Sequence, residues 1–260
     1  MADSKYATYE KKGHVAYVTL NRPEVMNAIH PPGTAELDEL WNDFAADRNL
    51  WVAILTGAGE RAFSAGNDLK YQAERGGELP QLPPTGFCGL TAREGLNKPI
   101  IAAVNGFALG GGFELALACD IIIAAEHARF GLPEPRVGLI AGAGGVHRLP
   151  RHIPLKIAMG MMFTGKPISA AEAYKWGIVN EVVPAKDLIA TAERWAAEIM
   201  ECSPLSIQAT KEAAMGGLGK TYAQAMAGHY PTLVKLFHSK DAVEGPLAFS
   251  QKRKPNWSGE

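Results

Sequence analysis

The chain has 260 residues and is 47% hydrophobic, enough to bury one large core or one domain with an appendage. Its formal charge of -1 at pH 7 gives no basic excess of the kind that drives binding to nucleic acid or anionic membrane, although Lys252, Arg253 and Lys254 form a local basic run. Cys88, Cys119 and Cys202 are widely separated and show no ligand or redox spacing, which implies reduced thiols in a reducing compartment.

In chain order, the opening MADSKYATYEKK is polar and lacks the apolar core of a signal peptide, so a cytoplasmic protein is expected. Residues 14–20 and 50–56 are short β-rich runs ending at the turn signals NRPE and TGAGE. Between them, residues 33–46 carry Leu37, Leu40, Trp41 and Phe44 at the spacing of an amphipathic helix. Residues 71–95 are rich in Gly, Pro and Gln without a sustained period and read as a long surface excursion, of the kind that forms lids or mobile segments. Residues 99–104 and 120–124 look like strands buried on both faces, and alternation of strands with helices argues for an α/β core. The most apolar stretch, 115–125, is broken by Asp120 and is too short to span a bilayer. Ser169 opens a capping box with Glu172, and Gly177 suits a left-handed helix end. Beyond Pro184 the pattern is helical: Leu188, Ala192, Trp195 and Ile199 form a stripe, Ser203-Pro204 is a cap, and Gly216 is a stop. The boundary falls near Lys186, giving a core over 1–185 and a helical region over 186–260, with no evident tandem repeat.

Three runs carry chemistry. In NGFALGGGFELALACD, Gly110, Gly111 and Gly112 permit backbone geometries that a β-carbon hinders, and they lead into a helix-forming segment. Free amides at such a start favour negative charge and suit an oxyanion. A tight turn packing a helix on a strand is the equal alternative. In FSAGNDLK, Gly66 again allows unusual backbone and the Asn67 amide can serve as a second donor; an ordinary loop with Asp68 as a helix cap is the simpler alternative. In FGLPEPRVG, Glu134 sits between two prolines in apolar surroundings, and a dry carboxyl exchanges protons near neutrality. Pairing of Glu134 with Arg136 or Arg129 is the competing reading.

Other signals are weaker. GLIAGAGGVH lacks the full dinucleotide fingerprint and its acidic partner, and TGAGERAFS lacks the Gly-Lys of a phosphate loop. His147 and His152 form no HExxH pattern, so no metal is expected. Ser64, Ser169 and Ser203 lack a nucleophile-elbow context, and Met159, Met161 and Met162 read as core.

Taken in order, NRPEVMNAI, AGNDLK, KPIIAAVNGFALGGGFELALACD, FGLPEPRVGLIAGAGG, TGKPISAAEAYKWGIVNEVVP and FSQKRKPNW resemble the crotonase (enoyl-CoA hydratase/isomerase) superfamily over nearly the whole chain. The resemblance implies a spiral of repeated ββα units with a C-terminal helical oligomerisation region, a homo-oligomer built of trimers, and an acyl-CoA thioester as substrate with no further cofactor. It places the thioester oxygen between the amides of Asn67 and Gly111. It also makes Glu134 the group exchanging the α-carbon proton and Glu114 the group activating water at the β-carbon. Ala65, Gly66, Asp68, Leu69, Lys70 and Gly110 match substrate-contacting positions, and Lys252 matches a basic residue that reaches CoA phosphates. Because Glu114 lies in a first helical turn, its ionised form is expected to be favoured, with Glu134 the more readily protonated.

The family pattern is not followed everywhere. Asn67 stands where alanine is common, Phe113 where a smaller residue is common and Pro135 where an aliphatic one is common. Residues 71–95, with Tyr71, Phe87 and Cys88, are expected to shape the acyl pocket. These departures resemble specialised members such as carnitinyl-CoA dehydratases. The expected activity is enoyl-CoA hydration, with double-bond isomerisation, a specialised hydratase or lyase, and a non-catalytic RNA-binding role as rivals.

Overall fold

The computed structural model describes residues 5–78 and 81–260; the first four residues of the polar N-terminal run and residues 79 and 80 of the 71–95 excursion lie outside the described residues. Strands β1 (Ala7–Lys12) and β2 (Val15–Leu20) form an antiparallel hairpin. Helix α1 (Pro31–Ala46) comes next, its first turn capped by the His30 ring, which accepts from the Gly33 amide at 3.2 Å.

Three ββα units succeed it: β3 (Val52–Gly57), β4 (Ala62–Ser64) and α2 (Leu69–Ala73); β5 (Ile100–Val104), β6 (Phe107–Leu109) and α3 (Gly111–Ala118); then β7 (Ile121–Ala125), β8 (Arg129–Gly131) and α4 (Gly145–His152). Helix α5 (Leu155–Thr164), strand β9 (Ile168–Ser169), helix α6 (Ala170–Lys175) and strand β10 (Glu181–Val183) complete this part. In each unit the first strand joins a six-stranded sheet, ordered β1-β2-β3-β5-β7-β10, and the second joins a four-stranded sheet, ordered β4-β6-β8-β9. The chain thus winds as the spiral of ββα units that its motifs imply.

The central strands are buried on both faces, as their unbroken apolar runs require. Ala53, Leu55, Ala102, Val104 and Ile122 face the main core with Trp41, Phe44 and Leu115. The alternate residues Val52, Ile54, Ile101, Ala103 and Ile123 face a second cluster, closed by Leu188, Ala192 and Ala196 of α7 (Leu188–Met200). Helix α7 therefore belongs to the sheet it covers, although it lies beyond the expected boundary at residue 186. The helices that stand apart are α8 (Pro204–Gly217), α9 (Tyr222–Met226), α10 (Pro231–Phe237) and α11 (Lys240–Ser250). Ser203 caps α8 as its sequence demands, and the helix runs one residue past the expected stop. Lys211 ties α8 to the core, donating to Asp120 Oδ2 at 2.7 Å and to the Lys98 carbonyl at 3.1 Å. Among the described residues no helix is long and apolar enough to cross a membrane.

The expected surface excursion over 71–95 needs correction. Tyr71 to Ala73 are helical, in α2, and Phe87, Cys88, Leu90 and Thr91 are buried. Trp41 Nε1 donates to the Cys88 carbonyl at 3.1 Å, and Gly89 packs so closely on Asp38 that a β-carbon could not fit. This half of the segment is wall, built on α1. It shows no period because a short 3-10 turn holds it instead of a regular element.

Candidate active site

Strands β4, β6 and β8 are neighbours and parallel, so their C-terminal ends open on one edge of the small sheet. Strand β4 leads into Ala65 to Asn67, β6 into Gly110 and Gly111, and β8 into the turn that carries Glu134. Topology alone gathers three distant runs at the edge where α/β folds collect ligands.

The first two runs meet backbone to backbone. Gly66 has φ +86°, and a β-carbon there would stand 2.7 Å from both the Gly111 nitrogen and the Leu109 oxygen. A β-carbon at Gly112 would overlap the Ser64 carbonyl. Glycine is required at both places because the two main chains touch. The Asn67 peptide is held from both sides by Ile29, whose amide donates to the Gly66 oxygen at 2.8 Å and whose oxygen accepts from the Asp68 amide at 2.9 Å. Among the described residues, the amides of Asn67 and Gly111 donate to no protein acceptor. Two free N–H groups on abutting turns form a ready cradle for one oxygen. The Phe87 ring covers it, lying where a β-carbon on Gly111 would be 2.7 Å from Cε1.

Glu134 borders this cradle, and its charge reaches the carboxyl of Glu114. Glu134 Oε1 would sit 3.0 Å from a β-carbon on Gly110, and its Oε2 is buried without a hydrogen-bond partner. The alternative of an ion pair fails: Arg136 donates to the Thr164 carbonyl and Arg129 to the Ala128 carbonyl. Burial raises the Glu134 pKa, opposed by its own backbone amide. Glu114, in the first turn of α3, is 3% exposed and accepts from the Gly145 amide at 2.7 Å. Burial pushes its carboxyl up to about 7; the Gly145 amide opposes the rise, the charge of Glu134 adds to it, and the Ala143 amide and Arg148 oppose it. Burial raises both carboxyls, so the field at the start of α3 does not hold Glu114 in the ordinary carboxylate range as expected. Desolvation inside α3's packing outweighs the field of a helix only eight residues long.

The remaining residues divide by environment. Ala65 is half-buried beside Gly110, its oxygen 4.0 Å from where a β-carbon there would be. Asp68 is buried; it caps α2 through the Tyr71 amide at 3.0 Å and pairs with Arg22 at 2.9 Å. Leu69 and Lys70 are exposed at the start of α2. The Asn67 side chain donates to Gln72 at 2.7 Å, and Phe113 is turned into the core against Phe130. Lys252 is exposed just beyond α11, with φ +53°.

Four residues that build this site carry no chemical signal in the sequence. Arg22 bridges Asp68 and the Ala28 carbonyl, and buried Asn27 binds the carbonyls of Ala58 and Ala62. Both lie in the NRPEVMNAI block, where two consecutive left-handed residues, Met26 and Asn27, mark a constrained loop. Gly145 and Arg148 lie in and after the AGAGG run, whose glycines serve here to admit an acid and a guanidinium and not a dinucleotide. Among the described residues no cluster of three or more His, Cys, Asp or Glu side chains could hold a metal.

The enoyl-CoA hydratase/isomerase family matches this chain over residues 10–260. A carnitinyl-CoA dehydratase of Escherichia coli strain K12 is 45% identical, with all of both chains covered. One from Salmonella arizonae is 45% identical over 96% of this chain and 97% of its own. Among solved structures, an enoyl-CoA hydratase from Mycobacterium tuberculosis H37Rv superposes with a TM-score of 0.91 at 38% identity, covering 98% of this chain and 99% of that one. An enoyl-CoA hydratase from Bacillus anthracis gives 0.89 at 36% identity, over 98% and 100%.

Proposed function

The chain belongs to the enoyl-CoA hydratase/isomerase family, as a hydro-lyase of the crotonase type, and from that premise we propose that it reversibly dehydrates a 3-hydroxyacyl-CoA with a functionalised acyl group. The observation that carries this reading is the half-buried Glu134, with one unpartnered oxygen, beside two free backbone donors, and the buried Glu114 within reach of its charge. The amides of Asn67 and Gly111 hold the thioester oxygen and stabilise the enolate as charge moves onto it; a single donor of this kind is worth about 3–4 kcal/mol in a closed site. Glu134, at Gly110, delivers or removes the proton at the α-carbon. Glu114, held by Gly145, takes a proton from water as that oxygen bonds to the β-carbon, and returns it in dehydration. A carboxyl near pH 7 serves both directions at neutral pH. Coenzyme A enters as part of the substrate, and no step calls on another cofactor.

The specialised branch is favoured over straight-chain enoyl-CoA hydration by the 45% identity to carnitinyl-CoA dehydratases along the full chain. Lys70 and Lys252 are assigned to CoA, as exposed cations at the site's edge and in the C-terminal tail respectively. The tail also exposes Met215, Leu218, Tyr222, Met226, Phe237 and Phe249, an apolar surface suited to a homo-oligomer of trimers. Retention of Glu114 argues against pure isomerisation, which needs one acid. Incubation with 2-enoyl- and 3-enoyl-CoA esters separates the two by mass. Gain of water supports hydration; an unchanged mass with a shifted double bond supports isomerisation.

A further inference from the structure

The two free amides of the cradle are backed in different ways. In a trans peptide the N–H points opposite to the C=O that precedes it, so whatever grips that carbonyl aims the amide. The Gly110 carbonyl, before the Gly111 amide, accepts from the Phe113 and Glu114 amides at 2.9 and 3.0 Å, at the start of α3. The Gly66 carbonyl, before the Asn67 amide, belongs to no helix; it accepts from the Ile29 amide at 2.8 Å.

The same arrangement repeats one peptide back. The Ala28 carbonyl, before the Ile29 amide, accepts from Arg22 Nη1 at 2.7 Å. The guanidinium, the Ala28–Ile29 peptide and the Gly66–Asn67 peptide thus stand in series, each N–H donating to the next carbonyl. Among the described residues the N–H that ends the series, that of Asn67, has no protein acceptor.

Arg22 is itself held. Its amide donates to Asn27 Oδ1 at 3.0 Å, and its carbonyl accepts from the Asn27 amide at 2.8 Å. The other Nη1 proton goes to Asp68 Oδ2 at 2.9 Å, and both side chains are mostly shielded from water. Asp68 follows Asn67, and its amide donates to the Ile29 oxygen at 2.9 Å. One guanidinium therefore grips the 22–29 loop and the 66–68 loop at once. A hydrogen bond in such a chain polarises the next, and a cation at its head pulls in the direction that strengthens the last donor. Asp68 offsets much of that charge, so aim is the larger contribution.

Resting on the reading of Asn67 as an oxyanion donor, we infer that Arg22 is the positioning residue for that donor. Through the Ala28 carbonyl and the Ile29 amide it aims and strengthens the N–H that binds the thioester oxygen.

The test compares the wild type with Arg22→Met, which keeps an apolar stem without the donors, and Arg22→Lys, which restores a cation. Turnover of a 2-enoyl-CoA ester is measured beside the infrared carbonyl stretch of bound butyryl-CoA labelled with carbon-13 at the thioester, which reports polarisation without turnover. In Arg22→Met, kcat and kcat/KM are expected to fall together by about tenfold, part of the roughly 100-fold or more that a whole oxyanion donor supplies. The low-frequency shift of the stretch on binding should shrink in that variant, and Arg22→Lys should recover part of both. A folding role alone predicts neither change: folded Arg22→Met with wild-type kcat and an unchanged stretch overturns the inference. Should Arg22→Met fail to fold, amide proton resonances of the wild type give a second measurement. Butyryl-CoA is expected to move the Ile29 and Asn67 amide protons downfield together, and movement of Asn67 without Ile29 overturns the inference. A polarised carbonyl that relaxes in Arg22→Met, in a protein that hydrates no ester, supports the inference and removes the proposed reaction alone. Hydration that Arg22→Met leaves intact removes the inference alone.

Discussion

Glu114 accepts its 2.7 Å hydrogen bond from the amide of Gly145, a residue of the next ββα unit, so the acid on α3 is oriented by the start of α4. The contact fixes the carboxylate without neutralising it. The side chain stays in a dry setting where burial, not pairing, governs its charge.

Activity should follow that charge. With the Glu114 carboxyl pushed up to about 7, kcat/KM for hydration is expected to fall as pH drops through neutrality, since the base must be ionised to accept a proton from water. Glu114→Gln should lower turnover by about 100-fold to 10,000-fold, the range for one acid–base group, and abolish that limb. A pH–rate profile of both proteins, with acyl-CoA affinity measured alongside, checks this; an unchanged limb in the variant assigns it to another group.

Stability should move the opposite way. A carboxyl whose folded pKa lies above its unfolded value binds its proton more tightly in the native state. Its stabilising contribution is full below pH 4.5 and is lost as pH rises to about 7. Glu114→Gln removes this penalty while keeping an acceptor for Gly145. The variant is expected to be more stable than the wild type at pH 8 by about 1–3 kcal/mol, and to show little difference at pH 4. Denaturant titrations at the two pH values provide the comparison, and a variant less stable at pH 8 would refute the burial argument.

Glu134 borders Gly110, and its Oε2 is buried and unpartnered, which suits contact with the substrate's α-carbon. Glu134→Gln is therefore expected to stop exchange of the α-proton of a bound acyl-CoA with deuterated solvent, by at least about 100-fold, while binding is kept. Exchange followed by mass spectrometry reads this directly. Persistence of exchange in Glu134→Gln together with its loss in Glu114→Gln would interchange the two roles.

The contact of Phe87 with Gly111 can be tested by paired substitution. A β-carbon at Gly111 would meet Phe87 Cε1 at 2.7 Å, so Gly111→Ala must displace the ring or the turn. It is expected to cost about 1–3 kcal/mol of stability and roughly 100-fold in kcat as the oxyanion donor moves. Phe87→Leu in the same chain should recover part of both losses, because the obstruction is removed. Strict additivity of the two substitutions would show that they do not communicate.

The long central strands are legible in the sequence because their apolar runs, such as residues 99–104, have no other reading once both faces are buried. The capping box at Ser169 is equally plain, since its two hydrogen bonds are local. Strands β4, β6, β8 and β9 are not, because two or three residues are too few to display a period. Strand β1 hides among charges: ATYEKK is an edge strand with one buried residue. At the site, the ordered motifs single out Glu114, Glu134, Asn67 and Gly111. The Glu114–Gly145 bond, the Arg22–Asp68 pair and the drying of Glu114 depend on contacts between distant segments. Those appear only when the spiral brings the turns together.

Hydration at these two carboxyls is tested most directly by giving the protein a 2-enoyl-CoA ester in deuterated water enriched in oxygen-18. The expected product carries one deuterium at the α-carbon and one heavy oxygen at the β-carbon, formed at a rate that collapses in Glu114→Gln. A product with no heavy oxygen, or one formed by Glu114→Gln at the wild-type rate, contradicts it.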